Sequence, residues 1–348
     1  MGTFKLMVID ADTPLFKSAK SVQKDYIIAR NNSLGITKVF DNRTQLWGHH
    51  LKKEAGWLAE FNEGLEEKSK PEDWDVEDCA ELSKEVKDPL EEAFMTFNQF
   101  VGKMKRSGLA DDYLLCLGGE GNFRYDVAQF QPYKGDRKDK PLIFQELKDR
   151  VVVQYGKRVV LANDCEADDI LSQYGWKNYL NYRKTGEWEY LLAYLDKDLK
   201  MVVSPNVNYD DPLLKVEYNT PEECARCFCV QLLAGDQATD NIRGLPNFTE
   251  EIQQKYELGK TRGIGMATAQ RMLRTAESPK EMYARVVEAY KSYYGETTIH
   301  TFVNFRGEEL NWTWLDFLQD NAILLWMQRT KGERISIEGT LRRMGVDL

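Results

Sequence analysis

The chain has 348 residues, and a hydrophobic content of 42% with 11% aromatic residues excludes a disordered protein. Its formal net charge is −9, but residues 60–92 alone contain 14 acids and 4 bases, so the remainder is close to neutral. The acidic total therefore does not exclude a nucleic-acid partner, because local basic stretches set the field that a phosphate backbone meets.

Signals for targeting and for disulfides are absent from the sequence. No apolar run approaches the length of a membrane span, and no basic segment with a long apolar stretch opens the chain. The six cysteines fit reducing conditions better than a disulfide framework. These features predict a cytoplasmic protein without a membrane partner.

Strands and helices are predicted to alternate along the first two thirds of the chain. The predicted strands are residues 4–9, 113–117, 158–161, 188–195 and 201–203. The predicted helices include residues 93–104, a segment through Phe144 and Leu147, and residues 221–233. This alternation predicts an α/β domain with a mostly parallel sheet.

Two other regions are predicted to be helical. Residues 60–92 are expected to form a solvated acidic helical insertion, broken at Pro71 and Pro89. After residue 240 the pattern becomes helical, with a tight glycine turn within residues 262–271 and a helix within residues 312–327. We therefore expect a core of residues 1–235 and a helical region of residues 236–348.

Acidic residues follow several predicted strands, where ligands gather in α/β sheets. Glu166, Asp168 and Asp169 crowd within four residues, which raises their pKa values unless a cation holds them. The alternative is an N-capped helix whose acids complement the helix dipole. The full acidic set is Asp10, Glu166, Asp168, Asp169, Asp196, Asp198, Asp236 and Asp240. Such a set has the oxygen ligands for two divalent ions, which stabilise attacking and leaving oxygens in phosphodiester hydrolysis.

Other chemistries find less support. The three histidines lie outside the strand-end motifs, which disfavours a serine or cysteine hydrolase. The cysteines at 224, 227 and 229 fit buried thiols better than a zinc site. The glycines at 263 and 265 lack the preceding strand that dinucleotide binding requires. Basic residues in 134–158 and 255–274 are candidates for phosphate contacts.

Four motifs occur in a fixed order along the chain. They are Glu166-Ala167-Asp168-Asp169, Asp196-Lys197-Asp198-Leu199, Gly235-Asp236 with Asp240-Asn241-Ile242, and Gly263-Ile264-Gly265 with Thr268-Ala269. In this order they resemble the 5′-nuclease family. That family includes flap endonucleases, bacteriophage 5′→3′ exonucleases and the 5′-nuclease domain of bacterial DNA polymerase I. The compact chain is most similar to the bacteriophage exonucleases, which implies a bacterial or phage-infected host cell.

The resemblance implies a PIN-like α/β nuclease core with a helical arch and a C-terminal helical DNA-binding region containing a helix–turn–helix glycine turn. It implies that two Mg²⁺ or Mn²⁺ ions are held by the acidic set, with Asp10 as the first aspartate and Asp168 among the catalytic residues. It also implies that Lys134 and Arg137 contact the scissile phosphate, that Tyr133 stacks on a terminal base and that Arg124 binds DNA. Gly263, Gly265 and Thr268 match the turn that grips duplex DNA, often around K⁺.

The sequence departs from the family pattern at three places. Glu120 follows two glycines where the family has an aspartate near position 119. Asp236 and Asp240 are one residue further apart than usual, and residues 246–262 widen the distance to the glycine turn. We expect a metal-dependent 5′→3′ exonuclease acting on DNA ends, nicks or flaps, with flap endonuclease activity as an additional expectation. The alternatives are a PIN-type ribonuclease and a non-catalytic DNA-structure-binding protein.

Overall fold

The computed structural model describes residues 3–49, 53–135 and 139–348, and the chain forms two compact units. The first unit comprises Met1–Thr13, Gly102–Asp139 and Tyr155–Leu348, and the second comprises Pro14–Val101 and Lys140–Gln154. The predicted division at residue 235 does not coincide with a boundary between these units, because the chain on both sides of it belongs to the first unit.

The strands and helices have the following bounds. The strands are β1 Phe4–Asp10, β2 Gln23–Asn31, β3 Ile36–Phe40, β4 Gly48–His49, β5 Glu54–Ala55, β6 Asp75–Leu82, β7 Ala110–Gly118, β8 Val159–Ala162, β9 Tyr190–Tyr194, β10 Pro205–Asn208, β11 Val216–Tyr218, β12 His300–Val303 and β13 Glu309–Trp312. The α-helices are α1 Asp12–Lys20, α2 Arg43–Trp47, α3 Trp57–Asn62, α4 Pro89–Arg106, α5 Phe123–Val127, α6 Phe144–Tyr155, α7 Ala167–Thr185, α8 Pro221–Ala234, α9 Glu250–Lys255, α10 Met266–Leu273, α11 Pro279–Tyr294, α12 Trp314–Leu325 and α13 Ile337–Met344. Short 3-10 helices occupy Pro71–Asp73, Gly156–Arg158 and Lys197–Met201.

The first unit contains a six-stranded sheet in the order β11-β10-β9-β1-β7-β8. Within this sheet the pairs β10–β9, β9–β1, β1–β7 and β7–β8 are parallel, and the edge pair β10–β11 is antiparallel. Val8 and Ile9 in central strand β1 are fully buried, as the apolar run predicts for a parallel strand. The predicted α/β class with a mostly parallel sheet is confirmed, and β1, β7, β8 and β9 end at one edge.

Helix α8 organises the C-terminal part of the first unit. Thr220 and Glu223 form a capping box at its start, which satisfies amide groups that the helix leaves unpaired. Its buried face, which includes Phe228 and Leu233, packs on α10, α11 and α12. The widened segment before the glycines contains α9, which is tied to α11 where the Tyr256 hydroxyl donates to Glu288 at 2.6 Å.

The second unit corrects the prediction for residues 60–92. These residues are not a helical insertion, because Asp75–Leu82 forms strand β6, which pairs with β2 in the antiparallel order β3-β2-β6. The acids of β6 sit at a sheet edge, where Glu77 pairs with Arg30 at 2.6 Å and Asp78 pairs with Arg43 at 3.1 Å. Like charges spaced along an exposed edge strand were indistinguishable from a solvated helix in sequence.

Three further regions differ from their predictions. The strand expected at residues 201–203 is displaced to β10, because Lys197–Met201 forms a 3-10 helix. The β12–β13 hairpin was not predicted. The region expected to form a helical arch contains α5, residues 128–143 and then α6, and residues 136–138 lie outside the described part of the chain. None of the helices within the described ranges is long and apolar enough to cross a membrane.

Candidate active site

The end of β1 places two carboxylates at the sheet edge. Asp10 is 4% exposed, and its carboxylate accepts a hydrogen bond from the amide of Asp12 at 3.1 Å. The Asp12 carboxylate in turn accepts from the amide of Gly118, at the end of β7, at 3.0 and 3.1 Å. Burial and the negative charge of Asp12 raise the pKa of Asp10 to about 7. Asp12 is therefore part of this edge, although the sequence analysis did not select it.

The end of β7 explains the departure at Gly119. A Cβ atom there would lie 2.7 Å from the Ala162 carbonyl oxygen and 2.2 Å from the Asn163 side chain, so an aspartate does not fit. The next residue, Glu120, is exposed, and its amide donates to the Asn163 side chain at 3.0 Å. The carboxylate nearest the end of β7 in this structure is thus supplied by Asp12.

The acidic motif lies where β8 leads into α7, as predicted. Glu166 is the N-cap residue of α7, and Asp168 is in its first turn. Burial is the main cause that raises the pKa of Asp168 well above its ordinary value, followed by the charges of Asp10 and Asp196. The carboxylates of Asp10, Asp168 and Asp196, which follow three different strands, are therefore close enough for their charges to affect the pKa of Asp168.

Asp169 and Arg124 pair with each other in this structure. Both side chains are fully buried, and the Arg124 guanidinium donates to the two Asp169 oxygens at 2.7 and 2.9 Å. Arg124 also donates to the carbonyls of Leu324 and Trp326, at 2.9 and 2.7 Å. Asp169 further accepts from the amides of Glu166 and Gln328. In this structure the Asp169 carboxylate and the Arg124 guanidinium are thus occupied by each other and by backbone groups, and metal binding by Asp169 and DNA contact by Arg124 stay predictions.

Tyr133 and Lys134 are also buried within the acidic edge. The Tyr133 hydroxyl lies 3.2 Å from Glu166 and 3.0 Å from Asp240, and the residue is 3% exposed. A ring this buried is not exposed for stacking in this structure, and stacking of Tyr133 on a terminal base stays a prediction. The Lys134 ammonium contacts Glu166 and lies 3.5 Å from Asp240. Arg137, predicted beside it, lies outside the described residues.

The end of β9 supplies the second aspartate pair. Asp196 caps the 3-10 helix by accepting from the amide of Asp198 at 2.9 Å. Burial and the charge of Asp196 raise the pKa of Asp198 to about 7, and the Gln231 amide donates to the Asp198 carboxylate. Asp236 is 3.1 Å from the Lys197 ammonium. Asp236 and Asp240 thus each pair with a different lysine.

Two further polar residues hold the site and were missed in the sequence. Asn122 donates to Glu166 at 2.8 Å, and Tyr209, which is 2% exposed, lies beside Asp10, so that burial and then the charge of Asp10 raise the pKa of its hydroxyl. Tyr209 directly follows β10, so its position beyond a strand end was the available signal. Asn122 carried no comparable signal, because its partner is 44 residues away in the chain.

The donor chemistry of this edge suits a hard divalent cation, because it consists of carboxylates with few competing ligands. Within residues 3–49, 53–135 and 139–348, no three His, Cys, Asp or Glu side chains are grouped so that they would hold a metal ion. Lys134 and Lys197 instead pair with three of the predicted ligands.

Gly263 and Gly265, which are predicted to bind duplex DNA, directly precede α10. Gly265 is the N-cap residue of α10 and is exposed, while Gly263 and Thr268 are half-buried. Ten residues separate α9 from α10, so the connection is longer than the tight turn expected. Their contact with DNA, and a K⁺ ion there, remain predictions.

The chain matches no protein-family model and no curated protein. It is similar to solved structures from bacteriophage T5. A T5 protein co-crystallised with metal ions is 12% identical over 82% of this chain and 88% of its own, with a TM-score of 0.40. The T5 flap endonuclease in a pseudo-enzyme–product complex with DNA and metal ions is 14% identical over 67% and 90%, with a TM-score of 0.35. The T5 5′-exonuclease with zinc is 15% identical over 69% and 93%, with a TM-score of 0.33. At scores this low the likeness adds no argument to the site described above.

Proposed function

We propose that this chain is a divalent-cation-dependent nuclease of the 5′-nuclease family that hydrolyses DNA phosphodiester bonds from 5′ ends. The observation that carries the proposal is the meeting of Asp10, Asp168 and Asp196 at one sheet edge. Buried like charges are costly unless a cation compensates them, so this cluster is better explained by function than by stability. Mg²⁺ or Mn²⁺, two ions by resemblance, would lower the charge barrier to attack on a phosphodiester.

The residues of the chain divide into two groups in this proposal. Asp10, Asp168, Asp196 and Asp198 provide the negative edge that attracts cations. Lys134 is a largely buried cationic side chain that pairs with Glu166 and Asp240, and it suits neutralisation of a phosphate once these carboxylates are otherwise occupied. The ordered motifs that resemble the 5′-nuclease family favour DNA as the substrate, with the helical region of residues 236–348 proposed to hold the duplex.

The test is cleavage of 5′-labelled duplex DNA and 5′-flap DNA in Mg²⁺, in Mn²⁺ and in EDTA. Mononucleotide released from duplex would support an exonuclease, and a released flap oligonucleotide would support a flap endonuclease. Cleavage of RNA but not DNA would replace the proposal with a ribonuclease. Binding of flap DNA without any product in either metal would leave a non-catalytic DNA-binding protein.

A further inference from the structure

The ammonium group of Lys134 lies between two carboxylates of the acidic edge. The side chains of Lys134, Glu166 and Asp240 are 7%, 17% and 14% exposed, so this is not a solvated surface pair. Lys134 contacts one oxygen of Glu166 directly and lies 3.5 Å from one oxygen of Asp240. The Lys134 ammonium therefore already pairs with two acids that the 5′-nuclease resemblance implies as metal ligands.

The backbone holds Lys134 in this place. Its amide donates to the Asp240 carbonyl at 2.9 Å, and Asn241 donates to the Pro132 carbonyl at 2.8 Å. Lys134 has φ 53°, a left-handed conformation that is unfavourable for a non-glycine residue. The surrounding hydrogen bonds must offset that cost, so the position of Lys134 is built into the fold rather than reached by a freely rotating side chain.

The remaining oxygens of the two acids also face donors. Glu166 accepts from Asn122 through the oxygen that Lys134 contacts, and its other oxygen lies 3.2 Å from the Tyr133 hydroxyl. The second Asp240 oxygen lies 3.0 Å from the same hydroxyl. Because that hydroxyl has one proton, it serves one carboxylate at a time. Together these groups form a small cation-binding subsite, which we define as Asn122, Tyr133, Glu166 and Asp240.

We propose that Lys134 fills this subsite as an internal cation, and that a divalent cation enters it only by displacing the Lys134 ammonium. An ammonium and a divalent ion cannot occupy the same carboxylate oxygens, because their charges repel at that range. Displacement would release Lys134 toward a phosphate, so binding of the cation and of DNA would strengthen each other. This inference rests on the proposed function, and it accounts for the absence of a ready metal site among the described residues.

The test is titration of the metal-free protein with Mn²⁺ alone, for the wild type, Lys134→Met and Lys197→Met. Lys197→Met is the matched control, because the substitution removes one positive charge from the same edge. The Lys197 side chain is 53% exposed, and it pairs with one carboxylate, Asp236. We expect Lys134→Met to bind Mn²⁺ at least about tenfold more tightly, or to bind one additional ion, because the competing cation is gone. Lys197→Met should change the affinity by about twofold or less.

Circular dichroism would establish that each variant is folded. If Lys134→Met is not folded, Lys134→Gln provides the same comparison. Equal Mn²⁺ affinity and stoichiometry in the wild type and a folded Lys134 variant would overturn the inference. If the wild type still cleaved DNA in Mg²⁺, the proposed function would stand without it. If no variant bound Mn²⁺ and the wild type cleaved no DNA, both would fail.

A second readout follows the DNA, with Ca²⁺ as the cation and a labelled 5′-flap oligonucleotide as the probe. Ca²⁺ should increase the DNA affinity of the wild type by a larger factor than that of Lys134→Met, since only the wild type releases an ammonium group. Equal factors in the two proteins would contradict the coupling. A merely structural role for Lys134 would lower both affinities without changing this ratio.

Discussion

The carboxylates at the sheet edge differ in whether a positive charge compensates their burial. Asp10 and Asp168 are desolvated next to like charges, and the pKa of each is raised, Asp10 to about 7. Asp169 is fully buried, but its charge is balanced by Arg124. Neighbouring acids in one motif therefore have opposite consequences for stability. Removing Asp168 should relieve repulsion, whereas disturbing the partner of Asp169 should leave a buried charge uncompensated.

Asp168→Asn is expected to raise the melting temperature of the metal-free protein. In EDTA the variant lacks a carboxyl group whose ionised form is disfavoured by desolvation and by the charges of Asp10 and Asp196. The measurement is thermal unfolding followed by circular dichroism. Asp164→Asn is the matched control, because Asp164 is exposed and its left-handed backbone suits asparagine equally well. A lower melting temperature for Asp168→Asn alone would show that Asp168 is held by an unrecognised stabilising contact.

Asp12→Asn is expected to weaken Mn²⁺ binding more than Glu120→Gln does. The Asp12 carboxylate is fixed by the Gly118 amide beside Asp10, whereas Glu120 is exposed. Isothermal titration would compare the two variants. The three heavy atoms nearest to a Cβ atom at Gly118 all belong to the Asp12 carboxylate, the closest at 3.1 Å, so Asp12→Ala combined with Gly118→Asp should restore part of the affinity. A larger loss in Glu120→Gln would instead assign the missing strand-end acid to Glu120.

At the scale of elements, the Arg124–Asp169 pair joins α5, the start of α7 and the end of α12. Arg124 reaches Asp169 45 residues later and the Leu324 carbonyl 200 residues later. Asp169 also accepts from the Glu166 amide, so the pair fixes the N-terminus of the helix that carries Glu166 and Asp168. The position of the acidic edge therefore depends on a segment near the C-terminal end of the described chain.

Arg124→Met should destabilise the fold by about 3–5 kcal/mol, because it leaves the Asp169 carboxylate buried without its partner. Urea denaturation measures the change. Arg342→Met, in a pair whose arginine is 67% exposed, should cost less than about 1 kcal/mol. Adding Asp169→Asn to Arg124→Met should recover part of the loss, since the unpaired charge is removed. Similar losses for the two arginine variants would contradict the account of α5.

Sequence patterns predicted the elements whose signal is local. The buried runs of β1 and β9 and the acids that follow them were recognisable, because strand and motif lie within a few residues of each other. The pairing of Asp169 with Arg124 was not, because a carboxylate next to an acidic motif has the same local sequence whether it faces a cation or an arginine. Strand β6 was not predicted, because its partner β2 begins about fifty residues earlier in the chain. In addition, the acids of β6 replace the alternating apolar pattern by which a strand is recognised.

For the whole molecule, the acidic edge should make metal-free stability depend on pH. The pKa values of Asp10 and Asp198 are raised from 3.8 to about 7 by folding. Protonation therefore favours the folded state, and this contribution is complete below pH 3.8 and is lost as pH rises through about 7. The signs of both shifts agree, so the two groups act together.

The melting temperature in EDTA is therefore expected to fall between pH 6 and pH 8. Saturating Mg²⁺ should recover much of the loss at pH 8, because the ion binds the folded carboxylates and not the unfolded chain. Asp10→Asn should flatten the dependence in EDTA. A melting temperature that rises over this interval in the wild type would mean that other groups dominate the linkage and that the edge is compensated without a cation.

The most direct test of the account compares wild type and Asp168→Asn, purified in parallel, on 5′-labelled duplex and 5′-flap DNA over a Mg²⁺ titration. The account predicts Mg²⁺-dependent release of label by the wild type, none in EDTA, and none by Asp168→Asn at any Mg²⁺ concentration. DNA affinity of the variant should stay within a few-fold of the wild type. Equal release by both proteins would contradict the assignment of the acidic edge as the active site, and no release by the wild type from either substrate would contradict the proposed nuclease.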